Sequence, residues 1–328
     1  MNNDAPLLQV RGLQVNFQTR AGVVSAVDGA DLYINKAEIV GLVGESGSGK
    51  TATGLSILRL LPKPAGRISN GEILLGNKNI LKLSPQKMGM IRGCRISMTF
   101  QDPMTYLNPV MRVGDQIVEA ILQHQQITKA RAKKNAIDWM ADLRIPEPNR
   151  TFNAYPHQLS GGMKQRILIA IALSCKPSLI IADEPTTALD ATIQLQIIDL
   201  LFSIRERFNT AILLITHDLG VISELCDRVY VMYAGQILEH GNVGEIMTNP
   251  NNPYTKALLK SARSIYEYHE TLYTIPGSVP SLTTPPQGCR FRPRCSHASD
   301  ICLKKPPETA TNQQGGSFCW LHYNGTSK

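Results

Sequence analysis

Apolar and polar residues alternate with a period of two near the start of the chain. Leu8-Gln9-Val10, Leu13-Gln14-Val15-Asn16-Phe17 and Leu32-Tyr33-Ile34 each read as strands, with a turn at Ala21-Gly22. Glu38 to Gly44 reads as a buried strand running into a glycine loop, and Ala52 to Leu61 as a helix stopped by Pro62 and Pro64. The pattern is helical and polar-faced from about Pro109 to Leu143, and helical again over Gly162–Ser174 and Ala191–Phe208. Leu179-Ile180-Ile181-Ala182 and Ala211-Ile212-Leu213-Leu214-Ile215 are short apolar runs of the kind that occupy central parallel strands. Strands alternating with helices predict an α/β domain with a parallel sheet. After about Lys260 proline becomes frequent and periodicity fades, so a C-terminal extension is placed at 262–328, following a domain at 1–261.

Composition changes this picture little. The chain has 328 residues, 43% hydrophobic and 18% charged, as expected of a globular protein. No apolar run approaches the roughly 18 residues needed to span a bilayer. The N-terminus, Met1-Asn2-Asn3-Asp4, has no basic region followed by an apolar stretch, so no signal peptide is read and a cytoplasmic location is expected. The net charge of +8 fits an anionic partner such as nucleotide, nucleic acid or a lipid surface, and equally fits simple solubility. Cysteine usage is uneven. Cys94, Cys175 and Cys226 are scattered, whereas Cys289, Cys295, Cys302 and Cys319 crowd into the last forty positions.

The chemistry concentrates first at Gly44-Glu45-Ser46-Gly47-Ser48-Gly49-Lys50-Thr51, a complete match to G-x-x-x-x-G-K-S/T. Glycines let successive backbone N–H groups turn toward phosphate oxygens, and the helix that follows presents its positive end to them. Lys50 is assigned to the β- and γ-phosphates of ATP and the Thr51 hydroxyl to Mg²⁺. The run Leu179–Ala182 ends in Asp183-Glu184, which supplies a carboxylate for Mg²⁺ and a second to polarise an attacking water.

The segment Leu159-Ser160-Gly161-Gly162-Met163-Lys164-Gln165-Arg166 narrows the choice. It resembles the signature motif of ATP-binding-cassette (ABC) proteins, with Met163 where many members have Gln. The resemblance implies a P-loop NTPase fold of ABC type, with an antiparallel β-subdomain and a helical signature subdomain at about 102–175. It also implies that Leu159, Ser160, Gly161, Gly162 and Met163 close over ATP bound to an opposing subunit. Gln101, in Phe100-Gln101-Asp102-Pro103, resembles the Q-loop residue that senses Mg²⁺ and water. Ala188-Leu189-Asp190 resembles the D-loop, His217 the switch histidine at the γ-phosphate, and Phe17 the aromatic residue that stacks on adenine. Taken singly, each has a bland reading as a solvated or core residue. The ordered set carries the assignment.

Finer marks resemble the oligopeptide and dipeptide uptake subgroup, as its D-type subunit. They are Tyr155-Pro156-His157-Gln158, Gln101 to Pro109 (with Tyr106 in place of the usual Ser), Asn252-Pro253-Tyr254-Thr255-Lys256-Ala257-Leu258-Leu259, and Gly288-Cys289-Arg290-Phe291-Arg292-Pro293-Arg294-Cys295. Nickel, glutathione and metallophore importers share these marks. The tail spacing, Cys289-x5-Cys295-x6-Cys302-x16-Cys319, lacks the tight pairs of zinc ribbons. It suits a [4Fe–4S] cube over Zn²⁺, a structural centre whose charge Arg290, Arg292 and Arg294 would offset, and cluster-bearing relatives have a similar tail.

The resemblance implies an ATP hydrolase on the cytoplasmic face of the bacterial inner membrane. Glu184 would act as general base, with His217 and Gln101 aligning the γ-phosphate, water and Mg²⁺ held by Thr51, Gln101 and Asp183. The partners implied are a second, related ATPase in a heterodimer, two transmembrane permease subunits and a substrate-binding protein. A nucleic-acid-acting ABC ATPase is the competing class; such proteins usually carry two cassettes, long insertions or zinc modules. A regulatory subunit with weak turnover is a third reading, opposed by the intact Asp183, Glu184 and His217.

Overall fold

Two long strands, Leu8–Thr19 and Gly22–Ile34, open the chain as a hairpin. The computed structural model describes residues 5–100, 103–187, 189–266, 273–307, 309–312 and 315–322. They divide into two units: Met1–Ile34, Ile39–Leu81 and Ile215–Lys328 form the first, Asn35–Glu38 and Lys82–Leu214 the second.

In the first unit the opening hairpin pairs Thr19 with Gly22, which places the turn at Arg20-Ala21, one residue before the expected position. Gly66–Leu75 and Lys78–Asn79 complete a four-stranded antiparallel sheet. Leu8, Val10, Leu13 and Val15 are buried along its inner face, as the period-two pattern predicts. The strand Ile39–Val43 is buried throughout and pairs in parallel with Arg228–Tyr233. A turn at Ala234-Gly235 returns the chain as Gln236–Asn242, antiparallel to it. Gly315–Phe318 then pairs with Gln236–Asn242, and Thr309–Asn312 with Gly315–Phe318. The tail, read from sequence as irregular, therefore extends a sheet.

The helix Lys50–Ile57 is shorter than expected. Arg59 takes φ of 54°, Leu60 N–H donates to Leu55 O at 2.8 Å and Arg59 N–H to Ser56 O at 3.0 Å. This pair of bonds is a Schellman ending, which closes the helix ahead of the prolines.

In the second unit Ile96–Thr99 and Leu179–Asp183 pair in parallel, and Ala211–Thr216, within which the division between units falls, follows Leu179–Asp183 in strand order. The polar-faced stretch resolves into two helices, Val113–His124 and Lys129–Asp142, which pack with each other and with Gly161–Leu173. Their shared core includes Val113, Ile117, Ile121, Ala136, Met140 and Ile167. Thr128 caps the second helix, accepting from Arg131 N–H at 3.3 Å. Gly161–Leu173 and Ala191–Phe208 lie within a residue of the expected bounds. Among the described residues, no helix is long and apolar enough to cross a membrane.

Arg166 ties this unit together from inside Gly161–Leu173. Buried, it donates to Leu143 O at 2.9 Å, Arg144 O at 3.0 Å and Gln196 Oε1 at 2.8 Å. It thereby satisfies the carbonyl end of one helix and reaches the side of another. Arg166→Ala leaves those acceptors without this donor, and we expect it to lower unfolding stability by about 2–3 kcal/mol in urea titration. A change below ~0.5 kcal/mol would contradict this role.

Candidate functional site

The loop after Ile39–Val43 turns tightly, and its glycines are needed where other backbone comes close. Gly44 has φ of 153°, and a Cβ there would lie 1.9 Å from Met232 O. Gly49 has φ of 106°, and its Cβ would lie 2.3 Å from Ala26 O. Any side chain at either position collides with main chain. From the same side Gly235 N–H donates to Ser48 O at 2.8 Å, and Asp28 N–H to Gly235 O at 2.8 Å. Lys50 is buried and its Nζ donates to Gly44 O at 2.7 Å and Glu45 O at 3.0 Å, so the ammonium lies within the curl of the loop. Thr51 is exposed on the first turn of Lys50–Ile57, and Ser46 and Gly47 are exposed as well. Ser48 Oγ is buried with no hydrogen-bond partner among the described residues.

Glu45 is held from the C-terminal part of the chain. Its N–H donates to Tyr254 Oη at 3.0 Å. Its carboxylate accepts from Arg294 Nη1 at 2.7 Å and Nη2 at 3.0 Å, a two-pronged pairing. Arg294 also donates from Nη1 to Tyr233 Oη at 3.3 Å, from Nε to Pro276 O at 2.9 Å and from Nη2 to Ile275 O at 3.2 Å. Pairing with Glu45 raises the guanidinium pKa above its ordinary value, and burial pushes the Tyr254 phenol up. Tyr233, Tyr254 and Phe291 pack ring to ring, with centroids 4.5–5.3 Å apart. Nearby, Arg290 is buried and bonds Asp28 and Ala234 O.

Two other expected residues belong to this unit. Phe17 is half-buried, opposite Val24 and Gly66 in the antiparallel sheet; a Cβ on Gly66 would lie 2.8 Å from the Phe17 ring. His217 is exposed directly after Ala211–Thr216. Beside it Asp218 caps Leu219–Leu225, accepting from Gly220 N–H at 2.8 Å and Val221 N–H at 3.3 Å.

The second unit carries the remaining set. Asp183 is buried at the end of Leu179–Asp183. Glu184 takes φ of 47°, an uncommon conformation for a residue with a side chain, and its carboxylate accepts from Thr187 Oγ1 at 2.7 Å. Ser160 caps Gly161–Leu173, its Oγ accepting from Met163 N–H at 3.3 Å, so an exposed Ser160-Gly161 pair sits at a helix N-terminus beside the buried Leu159. Gly162 lets Ile193 approach, since a Cβ there would lie 2.7 Å from Ile193 Cγ2, and the corresponding point on Gly161 is 3.7 Å from Leu189. Asp190 caps Ala191–Phe208, accepting from Ile193 N–H at 2.9 Å. The signature segment and Leu189-Asp190 are therefore packed side by side. Gln101 and Ala188 lie outside the described residues.

All four tail cysteines line one cavity of about 120 Å³, with Phe291, Arg292 and Trp320. Cys289 N–H donates to Cys302 O at 2.8 Å, linking two of the cysteine-bearing segments. Burial pushes the Cys289 thiol up to about 11 and raises Cys295 and Cys319. Among the described residues, no three His, Cys, Asp or Glu side chains converge closely enough to hold a single metal ion. Of the three arginines expected to face a cluster, only Arg292 lines the cavity, with Nε buried and without a partner among the described residues. Arg290 and Arg294 are engaged with Asp28 and Glu45 instead.

In the sequence Asn252-Pro253-Tyr254 stands out only as a family mark. In the structure the Asn252 side chain donates to Leu238 O at 3.1 Å and Phe318 O at 3.2 Å, and buried Glu239 accepts from Asn251 N–H at 2.6 Å and Asn252 N–H at 3.2 Å. This segment therefore fastens the tail strand while Tyr254 reaches the glycine loop.

Comparison with known proteins agrees with this geometry. The family model described as ABC transporter matches residues 27–187, and that described as the C-terminal region of oligopeptide/dipeptide transporters matches residues 238–302. The chain is 46% identical over 96% of its length to the probable peptide ABC transporter ATP-binding protein y4tR of Sinorhizobium fredii, covering 94% of that protein. It is likewise 46% identical to the oligopeptide transport ATP-binding protein AppD of Bacillus subtilis, over 96% of this chain and 97% of that protein. Among solved structures it is similar to the ATP-binding cassette MJ0796, described as a dimer in a post-hydrolysis state bound to ADP and Pi. That likeness has a TM-score of 0.65 and 26% identity, over 72% of this chain and 98% of the other. The fold is that of the ABC ATPase cassette, and the chain belongs to the ABC transporter family, within its oligopeptide and dipeptide transport ATP-binding proteins.

Proposed function

We propose that this chain is the ATP-hydrolysing motor subunit of a membrane importer for di- and oligopeptides. The observation that carries the reading is the glycine loop itself. It is backed by two carbonyls that exclude side chains at Gly44 and Gly49, and it has the Lys50 ammonium inside its curl. That cradle fits a triphosphate, whose oxygens would take the backbone N–H groups and Lys50. The substrate class follows from the printed names of the relatives and from the matched C-terminal region.

In this reading Thr51, Asp183 and Gln101 hold Mg²⁺, and their oxygen donors suit a hard cation. When bound, Mg²⁺ neutralises charge on the β- and γ-phosphates. Phe17 packs on adenine. Glu184 accepts a proton from the attacking water, and the Thr187 hydroxyl bonded to its carboxylate fixes its orientation. His217 contacts the γ-phosphate. Ser160, Gly161 and Gly162 present a helix N-terminus to ATP held by a partner ATPase, with Leu189 and Asp190 lying alongside. Two permease subunits and a substrate-binding protein complete the assembly, with the chain peripheral on the cytoplasmic side. Closing of the two ATPases over ATP would drive the membrane subunits between access states, and hydrolysis would release them.

The tail cysteines suit a metal centre by their chemistry, as thiol donors on the wall of one cavity. Four thiols line one cavity, and their sequence spacing without tight pairs is the reason to prefer an iron–sulfur cluster over a single Zn²⁺. Its role would be to staple the tail, and the cation of Arg292 at the cavity wall offsets its charge.

Two outcomes test these assignments. Glu184→Gln should retain nucleotide binding and lose at least about 100-fold in ATP hydrolysis; hydrolysis at the wild-type rate refutes the base assignment. Anaerobically purified protein should be brown, with iron and sulfide in equal amounts, and Cys295→Ser should lose both. Colourless protein carrying zinc would replace the cluster with the zinc reading, and metal-free protein would remove both.

A further inference from the structure

Glu45 puts a carboxylate into a loop proposed to bind a polyanion. A negative charge there opposes phosphate binding by Coulomb repulsion, which persists wherever water does not screen it fully. The structure shows how this residue is handled. Its carboxylate is less than a quarter exposed and is gripped by both terminal nitrogens of Arg294, whose own side chain is only 5% exposed. Arg294 in turn is fixed by the carbonyls of Ile275 and Pro276 and by the Tyr233 hydroxyl, so the guanidinium cannot swing away without abandoning three further bonds. The residues around it are anchored as well: Phe291 packs on Tyr233 and Tyr254, and Arg290 on Asp28 and Ala234 O. The loop and the arginine are 249 positions apart in sequence, so the pairing is built by the fold and by nothing local.

We infer that Arg294 is a positioning residue for the nucleotide site: it neutralises Glu45 and draws its carboxylate to the tail side of the loop, so that nucleotide affinity is set by a residue of the cysteine-bearing tail. The inference rests on the nucleotide reading of the loop and assigns Arg294 a role separate from any metal centre. A planar, always-charged fork suits the task, because a lysine point charge could not take both carboxylate oxygens in a fixed plane.

The test is equilibrium binding of a fluorescent ATP analogue with Mg²⁺ to the full chain, at about 50 mM and about 500 mM NaCl. Arg294→Gln should weaken binding about tenfold at low salt, and the deficit should shrink at high salt. The double variant Glu45→Gln/Arg294→Gln should recover to within about threefold of wild type, because the unpaired carboxylate is gone. Glu45→Gln alone, which leaves Arg294 uncompensated, should bind about twofold or more tighter than wild type. A purely structural role for Arg294 predicts no recovery in the double variant. That result, unchanged affinity in Arg294→Gln, or a deficit indifferent to salt overturns the inference. Should Arg294→Gln fail to fold, Glu45→Gln decides by itself: tighter binding supports the inference and equal or weaker binding overturns it. Absence of binding by the wild-type chain overturns the nucleotide reading and this inference with it.

Discussion

Two backbone carbonyls, those of Ala26 and Met232, press against the glycine loop from behind, and the loop's path follows from that contact. Neither Gly44 nor Gly49 can carry a side chain there, which leaves the front of the loop to Lys50 and to backbone donors. The carbonyls come from two different elements, the second strand of the antiparallel sheet and the strand paired in parallel with Ile39–Val43. The cradle therefore depends on both being held in place. Gly235 does part of this, accepting from Asp28 and donating to Ser48. The chain's C-terminal third supplies the rest through Tyr254, Phe291 and the two arginines.

This arrangement gives the tail a physical part in the nucleotide half of the molecule. Glu45 is bonded through its N–H by Tyr254 and through its carboxylate by Arg294, so one corner of the loop rests in part on residues that follow the cassette's catalytic motifs. Asn252 and Glu239 fasten the tail strand Gly315–Phe318 to the same segment that delivers Tyr254. The cavity lined by the four cysteines lies within this region, and Arg292 and Cys295 on its wall flank the segment that carries Arg294.

The parts legible in the sequence are those whose physics is contiguous along it. Gly44 to Thr51, Asp183-Glu184 and Leu159 to Met163 declare themselves because turn, cap and helix start lie within eight residues of one another. The strand Leu179–Asp183 and the helix Ala191–Phe208 were equally plain, since each has a strong period of its own. What escaped was set by distant partners. Gly315–Phe318 has no alternation and becomes a strand because Glu239, His240 and Gly241 offer it an edge on one side and Thr309–Asn312 pairs with it on the other. Among its cysteine neighbours Arg294 reads in sequence as a counter-charge for a cluster, whereas its guanidinium is turned to a glutamate far away in sequence. The apolar run Val229-Tyr230-Val231-Met232 belongs to a further strand, Arg228–Tyr233, and Asn252 and Tyr254 take their roles from distant partners, Phe318 and Glu45.

The account's central claim is that Gly44–Thr51 and Ser160–Met163 serve two different ATP molecules, so that this chain completes no active site alone. Titrating the purified chain with the related ATPase subunit proposed as its partner, at fixed ATP and Mg²⁺, measures this directly. Specific ATPase activity should be low for the isolated chain at dilution and rise saturably as the second subunit is added. Full specific activity from the dilute chain by itself, unchanged by the second subunit, would contradict it.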